Sequence, residues 1–194
     1  ETGRVVDGGK FEKPFTDVNL LDVALRSKGV SVPRGLRKFR LKEWQHIAVI
    51  GPDLMMGFAM VDGHYIGNSF CWAANPEDGS FVEHHRESPG FIPRTSKELF
   101  HDDCHFSFMG YRMHIENRLD EGLHRVAIDI AGNKGLPPIS ARLTLAEDLN
   151  AVQPLVVVLP VDDNRPLYTH KAVCPLAGEV TVGDRTVALD PGRD

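Results

Sequence analysis

From Leu36 onward the chain alternates bulky apolar and polar positions in short runs divided by turn residues. The stretch "RKFRLKEWQHIAVIGPDLMMGFAMVDGHYIGNSFCWAANPEDGSFVEHHRE" (37–87) breaks at "GPD", at Asp62-Gly63 and at "NPEDG". Asp-Gly between apolar runs is a strong hairpin signal. The pattern predicts strands over 38–50, 54–62, 64–74 and 80–86, joined as an antiparallel meander. Ser88–Asp103, with two prolines, predicts a long loop. Strand patterning resumes in "HFSFMGYRMHIENRL" (105–119), "HRVAIDIAG" (124–132), "ISARLTLAE" (139–147) and "PLVVVLPV" (154–161). It ends in two further runs within Leu167–Asp194, with Gly183-Asp184 as a hairpin tip. The first 35 residues read as an arm, in which Val18–Lys28 carries helical spacing ended by Gly29. Roughly ten short strands with almost no helix predict an all-β antiparallel sandwich or barrel.

Period-two parity says what the strands are built to meet. One face of 54–62 holds Met56, Phe58 and Met60, and one face of 64–74 holds Ile66, Phe70 and Trp72. Read as a single strand, 106–117 sets Met109, Tyr111, Met113 and Ile115 against Arg112, His114 and Glu116. Methionine adapts to irregular apolar shapes. These faces predict an apolar cavity lined by Trp44, Phe58, Met60, Phe70, Trp72, Met109, Tyr111 and Met113, holding a lipid-like ligand. The competing reading is a filled interior in a structural or interaction module.

Composition changes the picture by exclusion. A net charge of −5 gives no electrostatic footing for nucleic acid. No apolar run reaches 18 residues, so no membrane span is expected. Cys71, Cys104 and Cys174 are odd in number and widely spaced, which suits a reducing compartment, and a cytoplasmic location is expected.

Three polar clusters bear on chemistry. "KEWQH" puts Lys42, Trp44 and His46 on one strand face and Glu43 and Gln45 on the other. Burial of either set would shift a titratable group, so Glu43 or His46, whichever set turns inward, is the candidate catalytic residue, as proton donor to an apolar polyene. "VEHHRE" places Glu83 and His85 together, opposite His84. "HDDCH" offers His101, Asp103 and His105 as the set that metal chemistry would need, but no second cluster has ligand spacing, so no metal is expected. "GPDLMMG" lacks a dinucleotide fingerprint, and no GxSxG elbow or phosphate loop occurs, so no cofactor is expected.

"LRKFRLKEWQHIAVIGPDLMMGFAMVDGHYIGNSFCW" resembles the first conserved block of an uncharacterised family, the domain of unknown function 2804, with likeness from about Thr2 through most of the chain. "PLYTHKAVCPLAGEVTVGDRTVALDPGRD" resembles the join in two-barrel calycin-like proteins, the carotenoid hydratase and AttH group and the fungal survival-factor proteins that handle sphingolipids. There a lipocalin-like barrel ends in a tyrosine-bearing strand, a glycine hairpin follows, and an acidic Trp-containing motif opens the second barrel. Tyr168 matches the tyrosine, and Gly178 with Gly183-Asp184 matches the hairpin. Asp190 and Asp194 stand near the acidic motif without reproducing it.

The resemblance implies a calycin/lipocalin-like barrel that is the N-terminal half of a double barrel. Its domain plan is an arm (1–35), a barrel (36–177) and a hairpin (178–194) leading to a second barrel. The implied partners are an isoprenoid, fatty-acyl or sphingoid ligand, and a second barrel or another chain pairing with the hairpin. A hydratase, isomerase or cyclase on the same scaffold is the enzymatic alternative.

Overall fold

The computed structural model describes residues 5, 7–133, 135–162 and 165–192. In chain order its strands are β1 (Gly9–Phe11), β2 (Arg26–Ser27), β3 (Val30–Ser31), β4 (Glu43–Ile50), β5 (Met55–Asp62), β6 (Ile66–Ala74) and β7 (Phe81–Pro89). There follow β8 (Asp102–Phe108), β9 (Tyr111–Arg118), β10 (Leu123–Ile130), β11 (Ile139–Leu145), β12 (Leu155–Asp162), β13 (Arg165–Lys171), β14 (Leu176–Val182) and β15 (Arg185–Leu189). One α-helical turn, α1, covers Arg34–Arg37. Every ladder is antiparallel. The protein is all-β, in the order the alternation predicts.

Two sheets carry the structure. The smaller runs β4-β5-β6-β7 and the larger β15-β14-β11-β10-β9-β8, while β1-β12-β13 form a third sheet and β2-β3 a small hairpin. Inner-face residues of the two main sheets join one buried cluster: Val49, Met56, Phe58, Met60, Cys71 and Ala73 meet Phe106, Tyr111, Met113, Ile115, Val126 and Ile128. Phe58, Met60, Ile115 and Ile128 have no accessible surface (0%), so no void wide enough for a water borders them. This centre is packed shut, as protein interiors are. Among the described residues no ladder joins the two main sheets into a closed barrel; the loop after β7 reaches β8 through a bridge between Arg94 and His105.

Two local expectations fail for one reason, an unrecognised two-residue hairpin. Val18–Lys28 is not a helix: a 3-10 turn covers Leu20–Asp22, and β2 turns into β3 at Lys28 and Gly29, whose φ angles are 50° and 81°. The run 105–119 is not one strand: Phe108 pairs with Tyr111 across Met109 and Gly110, at φ 48° and 77°. Such turns need positive φ at both central positions, which Gly supplies and a preceding Lys or Met conceals. Met109 is therefore a turn residue, 72% exposed, and shares no face with Tyr111 and Met113.

The tip at Gly183-Asp184 stands as expected, between paired Val182 and Arg185. The boundary expected at 177/178 falls inside β14, which pairs with β11 and brings Val180 to the core, while β15 brings Val187 and Leu189. Asp194 lies outside the described residues.

Because Phe58 fills the space between the sheets, Phe58→Ala is expected to cost about 3–5 kcal/mol. Urea denaturation checks this; a cost under about 1 kcal/mol would mean that the inter-sheet space is loose.

Candidate functional site

The inner face of β4 begins with Glu43, and the meander builds a polar rim around it. Glu43 pairs in register with Asp62 at the end of β5. The turn at Gly63 then swings His64 back, at φ 64°, with its backbone N–H donating to Asp62 Oδ1 at 2.6 Å. His64 Nε2 lies 3.1 Å from Glu43 Oε2, and its Nδ1 lies 3.5 Å from Asp62 Oδ2. Burial raises the Glu43 carboxyl above its ordinary value; the His64 ring opposes this, Asp62 adds to it and Lys97 opposes it.

One pleat deeper, Gln45 exchanges hydrogen bonds with Asn117 of β9, at 2.8 and 3.1 Å. The Cys104 thiol donates to Gln45 Oε1 at 2.9 Å, and Asn117 Nδ2 donates to Ser96 Oγ at 3.0 Å. This network gives the buried amides partners between the sheets, as buried polar groups require. Polar side chains at both inward positions of "KEWQH" are thus explained. Glu43 is half-buried, and this desolvation raises its carboxyl. His46 projects to the opposite face, exposed, with its ring 6.1 Å from Phe70. Of the two alternatives, Glu43 is on the inward face and His46 on the outward one.

A second buried cluster had no place in the sequence reading. His124 of β10 and Glu147, just past β11, meet His170 of β13: Glu147 Oε2 lies 3.0 Å from His124 Nε2, and Oε1 lies 2.6 Å from His170 Nε2. Burial alone would raise this carboxyl, but the hydrogen bonds and attraction of the two imidazoles hold it down at about 2. The missed signal was parity. His124 sits in phase with Val126, Ile128 and Ile130, and Glu147 with Leu143 and Leu145, so both are titratable groups at core positions.

The outer face of the smaller sheet gathers what was expected inside. Register sets Trp44 beside Val61 and Asn68, His46 beside Ala59, Phe70 and His85, and Gly57 beside Trp72 and Glu83. Ile50, Met55, Ala74 and Phe81 form the next row. Trp72 stacks on Phe81 with centroids 6.1 Å apart. Its indole lies flat over Gly57, where a methyl would stand 2.5 Å from the ring. Asn68 Nδ2 donates to His85 Nε2 at 2.6 Å. Trp44, Ile50 and Phe81 are 55%, 70% and 59% exposed.

The eight residues expected to line one cavity therefore divide. Phe58, Met60, Tyr111 and Met113 are core; Trp44, Phe70 and Trp72 share the outer face; Met109 is in a turn. The correction follows from register: Phe58 pairs with Cys71, which puts Phe70 and Trp72 on the other side of the sheet. Of the "HDDCH" set, His101 lies near Asp120 and Asp103 pairs with Arg118 and His114, while His105 bridges to Arg94 through its backbone. A shallow groove of about 270 Å³ on the outer face of the larger sheet is lined by His114, Glu116, Arg125, Arg142 and Thr144.

What these features define is an all-β protein of packed antiparallel sheets with an aromatic outer face and two histidine–carboxylate clusters, one buried and one half-buried. The chain belongs to the DUF2804 family, the domain of unknown function whose model matches residues 1–194. No curated protein and no solved structure matches it. Among the described residues no helix is long and apolar enough to cross a membrane.

Glu147 also makes stability pH-dependent. Held at about 2 against an ordinary 4.5, its contribution is complete above pH 4.5 and is lost as pH falls towards 2. Glu147→Gln is expected to cost about 3–5 kcal/mol at pH 7 by stranding two buried imidazoles. Denaturation curves should also show a weaker acid dependence in the variant than in the wild type; parallel acid profiles would contradict the assignment.

Proposed function

We propose that this protein is a binding module for an apolar, lipid-like ligand, taken up on the outer face of the β4–β7 sheet. The observation that carries this reading is that both tryptophans of the chain, with Phe70 and Phe81, share a face whose opposite side is already committed to the core. A contiguous exposed apolar patch marks a binding surface. Flat-lying Trp72 and its neighbour Phe81 offer a platform to an isoprenoid, acyl or sphingoid chain, and His46, His85 and Glu83 border it to meet a polar head. This keeps the ligand class that the calycin resemblance implies and moves the guest from the inside to the outside.

The same reading treats the two main sheets as an opened relative of the lipocalin barrel, on the support of the sequential meanders β4–β7 and β8–β11. It also assigns β15 as the seat of a second barrel or another chain. β15 is a sheet edge, and an edge strand presents unpaired backbone groups to any strand laid beside it.

Both tryptophans report from the proposed face, so intrinsic fluorescence is a direct test. Titration with fatty-acyl, isoprenoid and sphingoid ligands is expected to shift Trp emission saturably for at least one class. Trp72→Ala should weaken binding tenfold or more, about 1.5–3 kcal/mol for one large apolar side chain. Emission unmoved by every class, or uptake of a fluorescent fatty-acyl probe undiminished in a Trp44→Ala/Trp72→Ala variant, would remove the proposal.

A further inference from the structure

We propose that Glu43, Asp62 and His64 form a binding site for a first-row divalent cation of the Zn²⁺ type at the rim between the two sheets. Three observations carry it. The ligand atoms of the three side chains all lie within 4.8 Å of one another. Glu43 Oε2 and His64 Nε2 stand 3.1 Å apart, the spacing of two ligands that sit about 2.1 Å from one ion at neighbouring coordination positions. Finally, His64 Nε2 is buried and makes no hydrogen bond; it is close to the Glu43 carboxylate but not aligned with it. A buried ring nitrogen with no partner is an exception that calls for an explanation, and a cation between it and the carboxylate supplies one.

The local backbone prepares this arrangement. Asp62 uses Oδ1 to accept the His64 N–H and leaves Oδ2 for the ion. The left-handed conformation of His64, costly for a residue with a side chain, folds the ring back over both carboxylates. Register supplies Glu43 from the neighbouring strand directly opposite Asp62.

The donor set also selects among ions. An imidazole favours zinc-like first-row metals over Mg²⁺ and Ca²⁺, which prefer all-oxygen shells. Glu43 and His64 are partly exposed, which gives the ion an entry path, and three protein ligands leave coordination positions open to water or to a ligand's polar group.

The test uses the full chain, stripped with chelator and titrated with Co²⁺ and Zn²⁺. One Co²⁺ per chain is expected to give a saturable visible d–d band, displaced by Zn²⁺ and unaffected by millimolar Mg²⁺. Glu43→Gln and His64→Ala should each weaken Zn²⁺ binding at least tenfold by calorimetry, while His114→Ala leaves it unchanged; circular dichroism verifies that each variant is folded. X-ray absorption of the zinc-loaded wild type should show a single imidazole among oxygen donors, a readout independent of any variant. Absence of a saturable band, equal Zn²⁺ affinity in Glu43→Gln, loss of binding in His114→Ala, or a multi-histidine shell would each overturn the proposal.

Discussion

Face-to-face packing of the four- and six-stranded sheets decides which side of every strand is available for anything else. Side chains alternate across a strand, so committing Met56, Phe58 and Met60 to the core commits Gly57, Ala59 and Val61 to the other face. In β5 and β6 both faces are apolar. One set is covered by the larger sheet; the other, built around Trp72, Phe70 and Trp44, is left facing outwards. Gly57 is the hinge of this arrangement, because it admits the Trp72 indole against the sheet surface. The exposed aromatic face follows from a core that is already full.

The same constraint places the titratable groups. Half-buried Glu43 and buried Glu147 both lie beside imidazoles, yet their carboxyls move in opposite directions. Glu147 accepts from two histidines and is held far down. Glu43 faces a second carboxylate, and the one histidine beside it is poorly aligned, so burial wins and the carboxyl moves up. Desolvation acts on both, and the number of aligned donors decides the outcome. Glu147 has both carboxylate oxygens hydrogen-bonded and ties the β10–β11 pair to β13. At the Glu43 rim the carboxylate lacks such a pair of aligned donors, and a titratable group in that position is where further chemistry is to be sought.

Much of the architecture was legible in the alternation. The turns at Asp62-Gly63 and Gly183-Asp184, and most strand bounds, follow from local chemistry that acts over a few residues. The division of "KEWQH" into a Glu43/Gln45 face and a Trp44/His46 face was also readable, because parity survives any fold that keeps the strand, although which set turns inward was not. What was not readable was which of two apolar faces would be the inside. That depends on register between strands far apart in the chain, as when Gln45 meets Asn117. Met109 was misplaced because a Met-Gly hairpin breaks parity without announcing itself. The His124–Glu147–His170 cluster was hidden for the opposite reason: His124 and Glu147 were in phase with the core, and only the third sheet brings His170 to them.

The five methionines provide the most direct test of the account, because three of them sample both sides of one sheet. Met56, Met60 and Met113 are buried between the sheets, Met55 lies in the outer row beside Ile50 and Phe81, and Met109 sits in a distant turn. Methyl NMR of methionine-labelled protein, recorded while a fatty-acyl probe is added, separates the two faces. The account predicts that the Met55 methyl shifts while those of Met60 and Met113 stay fixed. Movement of Met60 and Met113 with Met55 unmoved would place the guest between the sheets and contradict it.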